Sequence, residues 1–264
     1  MRYLHGVLDY SLIAISSGAY SRLPLAAALL RIAEVAPAAE ICSWGLHSLL
    51  EPVNARAVDL SGLPFTVHAP FTHDLIGSRS ASKRRTAIDL HERHIAASAA
   101  LGARYYVVHP DLQRRQKPRS PRTAAALERS FRELRRLQEE YELRVLVENM
   151  PFIRRSHFIA PEDLDLQGLG FTLDVGHAAI TGTLSSWLAT PPGTITHMHL
   201  HDNQGPYGGD LHQALGLGIV DAAPALAAAQ AAGATVVLEH IDEAAVTASL
   251  DHLHGRGLLA RRNG

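Results

Sequence analysis

The sequence is poor in cysteine and in aromatic residues. Its 264 residues include one cysteine, Cys42, and aromatic side chains make up only 6%. A single cysteine excludes an internal disulfide and a zinc site built from several thiolates, so any bound metal would be held by His, Asp and Glu. The few aromatic residues and the formal net charge of −1 argue against a surface built as a whole to hold nucleic acid.

Long apolar runs are also missing. No stretch approaches the roughly 20 consecutive apolar residues that span a bilayer. The apolar residues near the start are interrupted by His5, Asp9 and Tyr10, unlike the continuous apolar segment of a secretory signal. We therefore expect a cytoplasmic protein without a membrane partner. Hydrophobic residues at 47% and charged residues at 19% are typical of a globular chain.

What the sequence does contain is a regular alternation of strand and helix patterns. The predicted strands are apolar or β-branched runs at residues 3–8, 39–43, 65–68, 105–109, 145–148, 171–174, 195–200 and 235–239. Apolar residues at helical spacing predict helices between most of them. These helices are expected at residues 24–35, 82–101, 121–142, 221–232 and 243–254.

This alternation implies a parallel sheet covered by helices. Eight repeats favour closure into a (β/α)8 TIM barrel, an α/β fold that commonly fills about 250 residues as one unit. We expect residues 1–264 to form a single domain of this kind. No G-x-G-x-x-G turn follows the first predicted strand, and Gly216-Leu217-Gly218 lies late in the chain, where it is a weak signal for a dinucleotide site.

Ionisable side chains stand where six consecutive predicted strands end. They are His68, His109, Glu148, Asp174, His199 and Glu239. Such a group on a strand buried on both faces must be paired or bound to metal, and the carboxyl ends of barrel strands carry the active site. One strand-end histidine is commonly a hydrogen-bonded core residue, but six coincidences favour a common site. Three more candidate ligands lie close by, namely His177, Asp210 and His212.

Nitrogen and oxygen donors dominate this set. The chain has sixteen histidines, and histidine is the commonest metal ligand in proteins. Without a thiolate cluster, zinc is the leading metal, and manganese, iron or magnesium are alternatives where carboxylates accumulate.

As a set, these residues resemble AP endonuclease family 2, the xylose isomerase-like barrel superfamily that includes endonuclease IV and many sugar isomerases and epimerases. The resemblance covers roughly residues 65–240 and lies in short motifs: VHAPF with His68, VVHP with His109, LVEN with Glu148, LDVGH with Asp174 and His177, MHLHD with His199, GGDLHQALGLG with Asp210 and His212, and LEH with Glu239. Endonuclease IV has a three-zinc site, and each of its nine ligand positions has a counterpart here. The resemblance implies up to three divalent ions, bound by these nine side chains.

The resemblance leaves two reactions open. One is metal-assisted hydrolysis of a phosphoester, with Glu148 between two ions and Glu239 holding or deprotonating the attacking water. The other is isomerisation or epimerisation of a sugar or sugar phosphate around a single ion, with Glu148 and Glu239 moving a proton. Many such isomerases have an Arg where this chain has its D-x-H, so the D-x-H favours hydrolysis. A structural or metal-storing barrel is disfavoured because structural sites are small and closed.

Basic residues are concentrated after the third, fourth and fifth predicted strands. They are Arg79, Lys83, Arg84, Arg85, Arg114, Arg115, Lys117, Arg119, Arg122, Arg154 and Arg155. These segments should open on the catalytic face, so we expect an anionic small-molecule substrate bound by Arg154 and Arg155. Phe71 and His201 are further candidates for substrate contact. Duplex DNA is a less favoured partner, because the chain is low in aromatic residues and slightly acidic.

Overall fold

Eight parallel strands close into a barrel. The computed structural model describes residues 7–70, 75–110, 120–151, 156–191, 193–206 and 208–261. The strands are β1 (Ile13–Ser16), β2 (Ala39–Cys42), β3 (Phe65–His68), β4 (Tyr105–Val108), β5 (Arg144–Glu148), β6 (Gly170–Asp174), β7 (His197–Leu200) and β8 (Thr235–Leu238). Each strand pairs in parallel with the next one in the sequence, and β8 pairs with β1. The predicted α/β fold, a (β/α)8 TIM barrel, is confirmed.

Strands β2 to β8 lie within two residues of their predicted positions. The prediction of a first strand at residues 3–8 was wrong for the part that the structure describes, which begins at residue 7. Leu8 makes only an isolated bridge with Leu259, and β1 begins at Ile13. The IAIS sequence of β1 is almost completely buried, because a parallel barrel strand is covered on both faces.

Helices surround the barrel. They are α1 (Leu25–Val35), α2 (Pro52–Ser61), α3 (Ala81–Ala100), α4 (Pro121–Glu140), α5 (Val175–Thr181), α6 (Leu184–Leu188), α7 (Ala222–Ala232) and α8 (Glu243–Gly255). All five predicted helices are present, whereas α2, α5 and α6 were not predicted. Helix α5 is short and follows β6 directly, with the Asp174 side chain accepting a hydrogen bond from the backbone N–H of His177 at its first turn. None of the described helices is both long and apolar enough to cross a membrane.

Successive side chains of each strand point alternately into the barrel interior and into the layer between strands and helices. On β7, Met198 and Leu200 belong to the large apolar core that includes the helices. His197 and His199 point the other way, and both reach Glu40 of β2 across the interior. A separate buried cluster consists of Tyr105, Val107 and Leu146. The fold thus places the polar strand residues inside the barrel, close to its mouth.

Candidate metal centre

Four of the nine candidate ligands, all histidines, lie against the carboxylate of Glu148, the last residue of β5. Its Oε2 atom lies 3.1 Å from His109 Nε2 and 3.4 Å from His68 Nε2. His199 Nδ1 lies 3.5 Å from the same oxygen, and His177 Nδ1 lies 3.3 Å from Oε1. Glu148 is 1% exposed. Side chains from separate strands therefore converge on one buried carboxylate.

Backbone carbonyl groups orient three of the rings by accepting a hydrogen bond from Nδ1. The pairs are His68 with Ala69 (2.8 Å), His177 with Asn149 (2.8 Å) and His212 with Glu239 (2.9 Å). A carbonyl oxygen only accepts, so Nδ1 carries a proton in each ring, and Nε2 is the nitrogen that offers a lone pair when metal displaces its proton. Each Nε2 faces a carboxylate of the cluster, Glu148 in the case of His68 and Asp210 in the case of the other two. This is the arrangement of a histidine prepared to bind metal through Nε2.

His199 uses the opposite nitrogen. Its Nδ1 lies 3.2 Å from Glu239 Oε2, 3.5 Å from Glu148 Oε2 and 3.9 Å from Asp174 Oδ2. Two ligands of one tetrahedral ion are roughly 3.3–3.4 Å apart when each lies 2.0–2.1 Å from the metal. One donor atom from each of these four residues lies within 4.8 Å of the other three, so the group has the spacing needed to hold one ion.

The angles between the rings indicate which histidines can share an ion. The lone pair of an imidazole nitrogen lies in the ring plane, so an ion must lie near the plane of every ring that binds it. The His68 and His109 rings are almost perpendicular, at 87° with centroids 4.7 Å apart, and their planes meet near Glu148. The His68 and His199 rings lie within 24° of parallel with centroids 5.7 Å apart. Each directs a nitrogen at Glu148 Oε2 from a different strand, and their donor atoms also have the spacing of a single metal site. Glu148 Oε2 is therefore shared by His68, His109 and His199.

A third group surrounds Asp210. Its Oδ2 atom lies 3.1 Å from His177 Nε2 and 3.3 Å from His212 Nε2. The two rings are perpendicular, at 88° with centroids 6.1 Å apart, so their planes can share an ion. His177, Asp210 and His212 thus form a group separate from the one around His199.

The loop after β7 carries Asp210 and His212 and is organised by the buried carboxylate of Asp202. That carboxylate accepts hydrogen bonds at 2.8–2.9 Å from the backbone N–H groups of Asn203, Gly216, Gly218 and Val220. The backbone of Asp202 also pairs in both directions with Gln213. His212 has a φ of 49°, a left-handed conformation that is strained for a residue with a side chain. The four backbone amides that donate to Asp202 therefore hold the shape of this loop.

His201 lies completely inside the site. Its Nε2 donates to Asp174 Oδ2 at 3.0 Å, while its Nδ1 accepts from Asn203 Nδ2 at 3.2 Å. The His201 and His212 rings are stacked at 17° with centroids 3.9 Å apart. Because nearly parallel planes do not meet near the rings, the two histidines cannot bind the same ion in this arrangement. His201 is fully buried, and its partner is the carboxylate of Asp174.

The electrostatics of the cluster depend on proximity between acids and histidines. Burial alone would raise the pKa of Glu148, but His109 and His199 hold that pKa well below its usual range. Burial alone would lower the pKa of His68, but Glu148 raises it to about 9. The pKa of His212 is raised to about 10 against burial by Glu239 and Asp210. Without metal, Glu148 is ionised and His68 and His212 hold protons at neutral pH.

The donor set fits divalent metal. Among the described residues, several buried side-chain atoms have no hydrogen-bond partner, namely both carboxylate oxygens of Glu148, Glu239 Oε2, Asp210 Oδ1 and His199 Nδ1. Buried carboxylates and lone pairs of this kind are costly unless a cation compensates them. Burial raises the pKa of the Cys42 thiol, which contacts Ser16 Oγ at 3.1 Å. The centre therefore offers nitrogen and oxygen donors, which suit zinc and the harder divalent ions.

The structure alters the prediction of a basic rim. Lys83, Arg84 and Arg85 lie in α3 and Arg122 lies in α4, within the helices predicted for residues 82–101 and 121–142, so they do not belong to loops that follow the strands. They follow the serine N-caps of these helices, where the chain is already helical. The remaining predicted basic residues from 114 to 119, together with Phe71, Arg154 and Arg155, lie outside the described residues. Arg79 is the one predicted basic residue in a described loop.

Glu40 is the main residue that the sequence did not reveal. It lies on β2, two residues before the strand ends, and is fully buried beside His197 and His199. The predicted site residues stand at strand ends, whereas β2 ends at Cys42. The available signal was an acidic residue within the apolar run APAAEIC, since a buried strand carries a charge only where a partner faces it.

Comparisons with known proteins place the chain among related barrels. A family model described as a xylose isomerase-like TIM barrel matches residues 49–256. An uncharacterized protein of Methanocaldococcus jannaschii is 26% identical over 183 residues, which cover 68% of this chain and 71% of that relative.

Solved structures with the same fold include enzymes of two kinds. A D-tagatose 3-epimerase-like protein has a TM-score of 0.77 and 24% identity, covering 92% of this chain and 96% of its own. A Thermus thermophilus protein soaked with ZnCl2 has a TM-score of 0.68 and 25% identity, covering 95% and 100%. Endonuclease IV from Thermus thermophilus has a TM-score of 0.66 and 19% identity, covering 92% and 99%. At such identities the epimerase-like protein and endonuclease IV establish a shared fold alone.

Proposed function

The chain belongs to the xylose isomerase-like TIM barrel family, and we propose that it is a divalent-metal enzyme that hydrolyses a phosphoester in a small anionic substrate. The nine candidate ligands divide into three groups, each for one ion. They are His68, His109 and Glu148; Glu148, Asp174, His199 and Glu239; and His177, Asp210 and His212. Zinc is the preferred metal, with manganese, iron and magnesium as alternatives.

The observation that carries the proposal is the third group, His177, Asp210 and His212. An isomerase that works with one ion needs only one group of four ligands, Glu148, Asp174, His199 and Glu239. It has no need for a second pair of perpendicular histidines on a separate carboxylate. The first group, in which His68 and His109 share Glu148 Oε2, extends the centre on the other side. Three adjacent groups of ligands support chemistry that uses several ions.

Charge supports an anionic substrate. The nine residues include four carboxylates, those of Glu148, Asp174, Asp210 and Glu239. Three divalent ions would bring six positive charges against these four negative charges, which leaves an excess of two. A single ion would leave the same residues with a deficit of two. Only the fully loaded centre therefore attracts a phosphate group, through the local field of a partly buried site.

Divalent ions supply activation of water and stabilisation of the negative charge on phosphate oxygens. In the proposed reaction, water adds to phosphorus, the bond from phosphorus to the leaving oxygen breaks, and the proton of the water is transferred. Glu239 is suited to take that proton, because its Oε2 lies 3.2 Å from His199 Nδ1 and its side chain is 14% exposed, against 1% for Glu148. Glu148 is suited to hold the centre together, since both of its oxygens face histidines.

A sugar isomerase or epimerase is the second candidate. The group of Glu148, Asp174, His199 and Glu239 is sufficient for one ion and places two carboxylates near a common point. In that reaction the two glutamates would remove and return a proton on carbon. The D-tagatose 3-epimerase-like protein supports this alternative through its fold. The third group of ligands, His177, Asp210 and His212, has no role in proton transfer on carbon. We therefore rank the isomerase or epimerase second.

A metal titration combined with an activity assay tests the proposal. The chelator-treated protein is titrated with Zn2+ and then assayed with bis(p-nitrophenyl) phosphate at each metal ratio, with Mn2+ and Mg2+ in parallel series. We expect three tightly bound equivalents and phosphoester cleavage that rises with the later equivalents. Full activity with one equivalent, or epimerisation of a ketose without cleavage of phosphoesters by any of the metals, would refute the hydrolytic assignment. A duplex with an abasic site serves as a separate substrate, and we expect it to be left uncut.

A further inference from the structure

Glu40 forms a charged base beneath the central group of ligands. Its Oε2 lies 2.8 Å from His197 Nε2 and accepts a hydrogen bond from Thr66 Oγ1 at 3.0 Å. Its Oε1 lies 2.9 Å from His199 Nε2. That contact is off the ideal hydrogen-bond direction, but neither atom has another hydrogen-bond partner among the described residues. Glu40 Oε1 and His199 Nε2 are therefore the nearest available partners of one another.

The short distances leave no space for an ion between Glu40 and either ring, and the contact with His197 is a hydrogen bond. Two ligands of one tetrahedral zinc ion would be roughly 3.3–3.4 Å apart. The separations of 2.8 and 2.9 Å from Glu40 to His197 and His199 are too small for an ion between them and fall in the range of charge-assisted hydrogen bonds. Glu40 thus accepts a hydrogen bond from His197. At 2.9 Å from the second carboxylate oxygen, His199 Nε2 must carry a proton, because a nitrogen lone pair would be repelled by that oxygen.

This proton decides which His199 nitrogen reaches the centre. With Nε2–H directed at Glu40, the lone pair is on Nδ1, the atom that faces Glu148, Asp174 and Glu239. The rings of His68, His177 and His212 are oriented by backbone carbonyls instead. A carbonyl is fixed by the chain, whereas the Glu40 side chain can be replaced. His199 is thus the ligand whose orientation can be tested by substitution of a single side chain.

We propose that Glu40 is a positioning residue that holds His199 as an Nδ1 ligand and thereby sets the affinity of the central group for its ion. This inference rests on the proposed metal centre. Glu40 touches no ion or substrate and acts through the His199 ring. A carboxylate behind a metal-binding imidazole orients the ring and increases its basicity. In the absence of that carboxylate, His199 is free to carry its proton on Nδ1, which blocks the metal-binding atom.

The test compares Glu40→Gln with Thr66→Val. Glutamine keeps the size of Glu40 and removes the charge, whereas valine removes only the hydroxyl that donates to Oε2 and leaves the contact with His199. We expect Glu40→Gln to weaken one of the bound equivalents by about 10–100-fold, measured by competition with a chromophoric Zn2+ chelator. Thr66→Val should bind all equivalents with nearly wild-type affinity. In 15N NMR spectra of the Zn2+-loaded proteins, in which metal leaves one proton on each ligand ring, the His199 ring should carry its proton on Nε2 in wild type and lose that preference in Glu40→Gln.

The outcomes separate this inference from the proposed function. If wild type binds metal and Glu40→Gln binds every equivalent equally well, the positioning role is wrong and the metal centre stands. If wild type itself binds no metal, the proposed function is wrong. If Glu40→Gln does not fold, Glu40→Asp takes its place, since it keeps the charge and shortens the reach by one methylene. We expect Glu40→Asp to weaken the binding of the same metal equivalent. Unchanged metal affinity in this variant would overturn the positioning role of Glu40.

Discussion

The stacked rings of His201 and His212, 3.9 Å apart and within 17° of parallel, define the limit of the third group of ligands. A ring can bind only an ion near its own plane, so this stacking assigns His212 to the group with Asp210. It leaves His201 to donate its Nε2 proton to Asp174. The stacking therefore indicates three ligands in this group, His177, Asp210 and His212.

We predict that His201→Asn retains every bound metal equivalent. Its partner is an oxygen of Asp174 rather than an ion, so the loss should be limited to about 10–100-fold in the affinity of the central group. His212→Asn, the matched variant in the adjacent ring, should lose one equivalent completely. Metal content after gel filtration, measured by atomic emission, distinguishes the two variants. Loss of an equivalent in His201→Asn would show that His201 is a ligand.

Replacement of Asp210 separates the two candidate reactions. Its Oδ2 atom joins His177 to His212, so Asp210→Ala should disrupt the third group and reduce phosphoester cleavage by at least about 100-fold, the scale on which removal of one charge-stabilising group commonly acts. Asp251→Ala, an exposed residue of α8, provides the control and should retain activity. Initial rates at saturating metal measure the effect. An Asp210→Ala protein that keeps an epimerase activity near the wild-type rate would reverse the order of the two proposals.

Much of the fold was accessible from the sequence because each parallel strand is short, apolar and followed by a helix. The six ionisable strand ends could be predicted for the same reason, since a barrel brings all its carboxyl ends to one mouth. The first strand was misplaced because an apolar run near the start of the chain has the same pattern whether it joins the barrel sheet, as at Ile13, or makes only an isolated bridge, as Leu8 does with Leu259.

The arrangement of the rings was not accessible from the sequence. Which nitrogen of His199 faces the site depends on Glu40, which lies far earlier in the chain and on another strand. The exclusion of His201 from the third group of ligands depends on the angle between its ring and that of His212. Such relationships arise from the registers of several strands and the course of a loop, and no spacing along one strand contains them. The sequence patterns therefore predicted the set of residues and left the groups within it undefined.

Gly176 provides a test of packing behind the site. A Cβ atom at this position would lie 2.1 Å from Cε1 of His201, so Gly176→Ala must displace the ring that holds Asp174. We expect a loss of about 1–3 kcal/mol in the free energy of unfolding, together with weaker metal binding. Gly255→Ala in α8 is the matched control, because its added Cβ would meet nothing within 4 Å. Chemical denaturation measures both variants, and equal stability would contradict the close approach of His201.

Opposite pH responses are expected for the metal-free and metal-loaded protein. In the metal-free protein, burial opposes the charged forms, yet Glu148 raises the pKa of His68 to about 9, and Glu239 with Asp210 raises that of His212 to about 10, from 6.5 in both cases. A raised pKa contributes stability that is complete below about pH 6.5 and is lost as the pH rises through about 9 to 10. Metal requires the same nitrogens without protons, so its binding strengthens over that range.

The melting temperature of the chelator-treated protein should therefore fall between about pH 6.5 and pH 10, while that of the Zn2+-loaded protein should hold or rise until the metal precipitates. His68→Asn removes one of the two titrating rings and should reduce the slope for the metal-free protein. His254→Asn, on the outer helix α8, should leave it unchanged. Parallel curves for the two forms would mean that metal and protons do not compete for these rings, and the assignment of His68 and His212 as ligands would then be wrong.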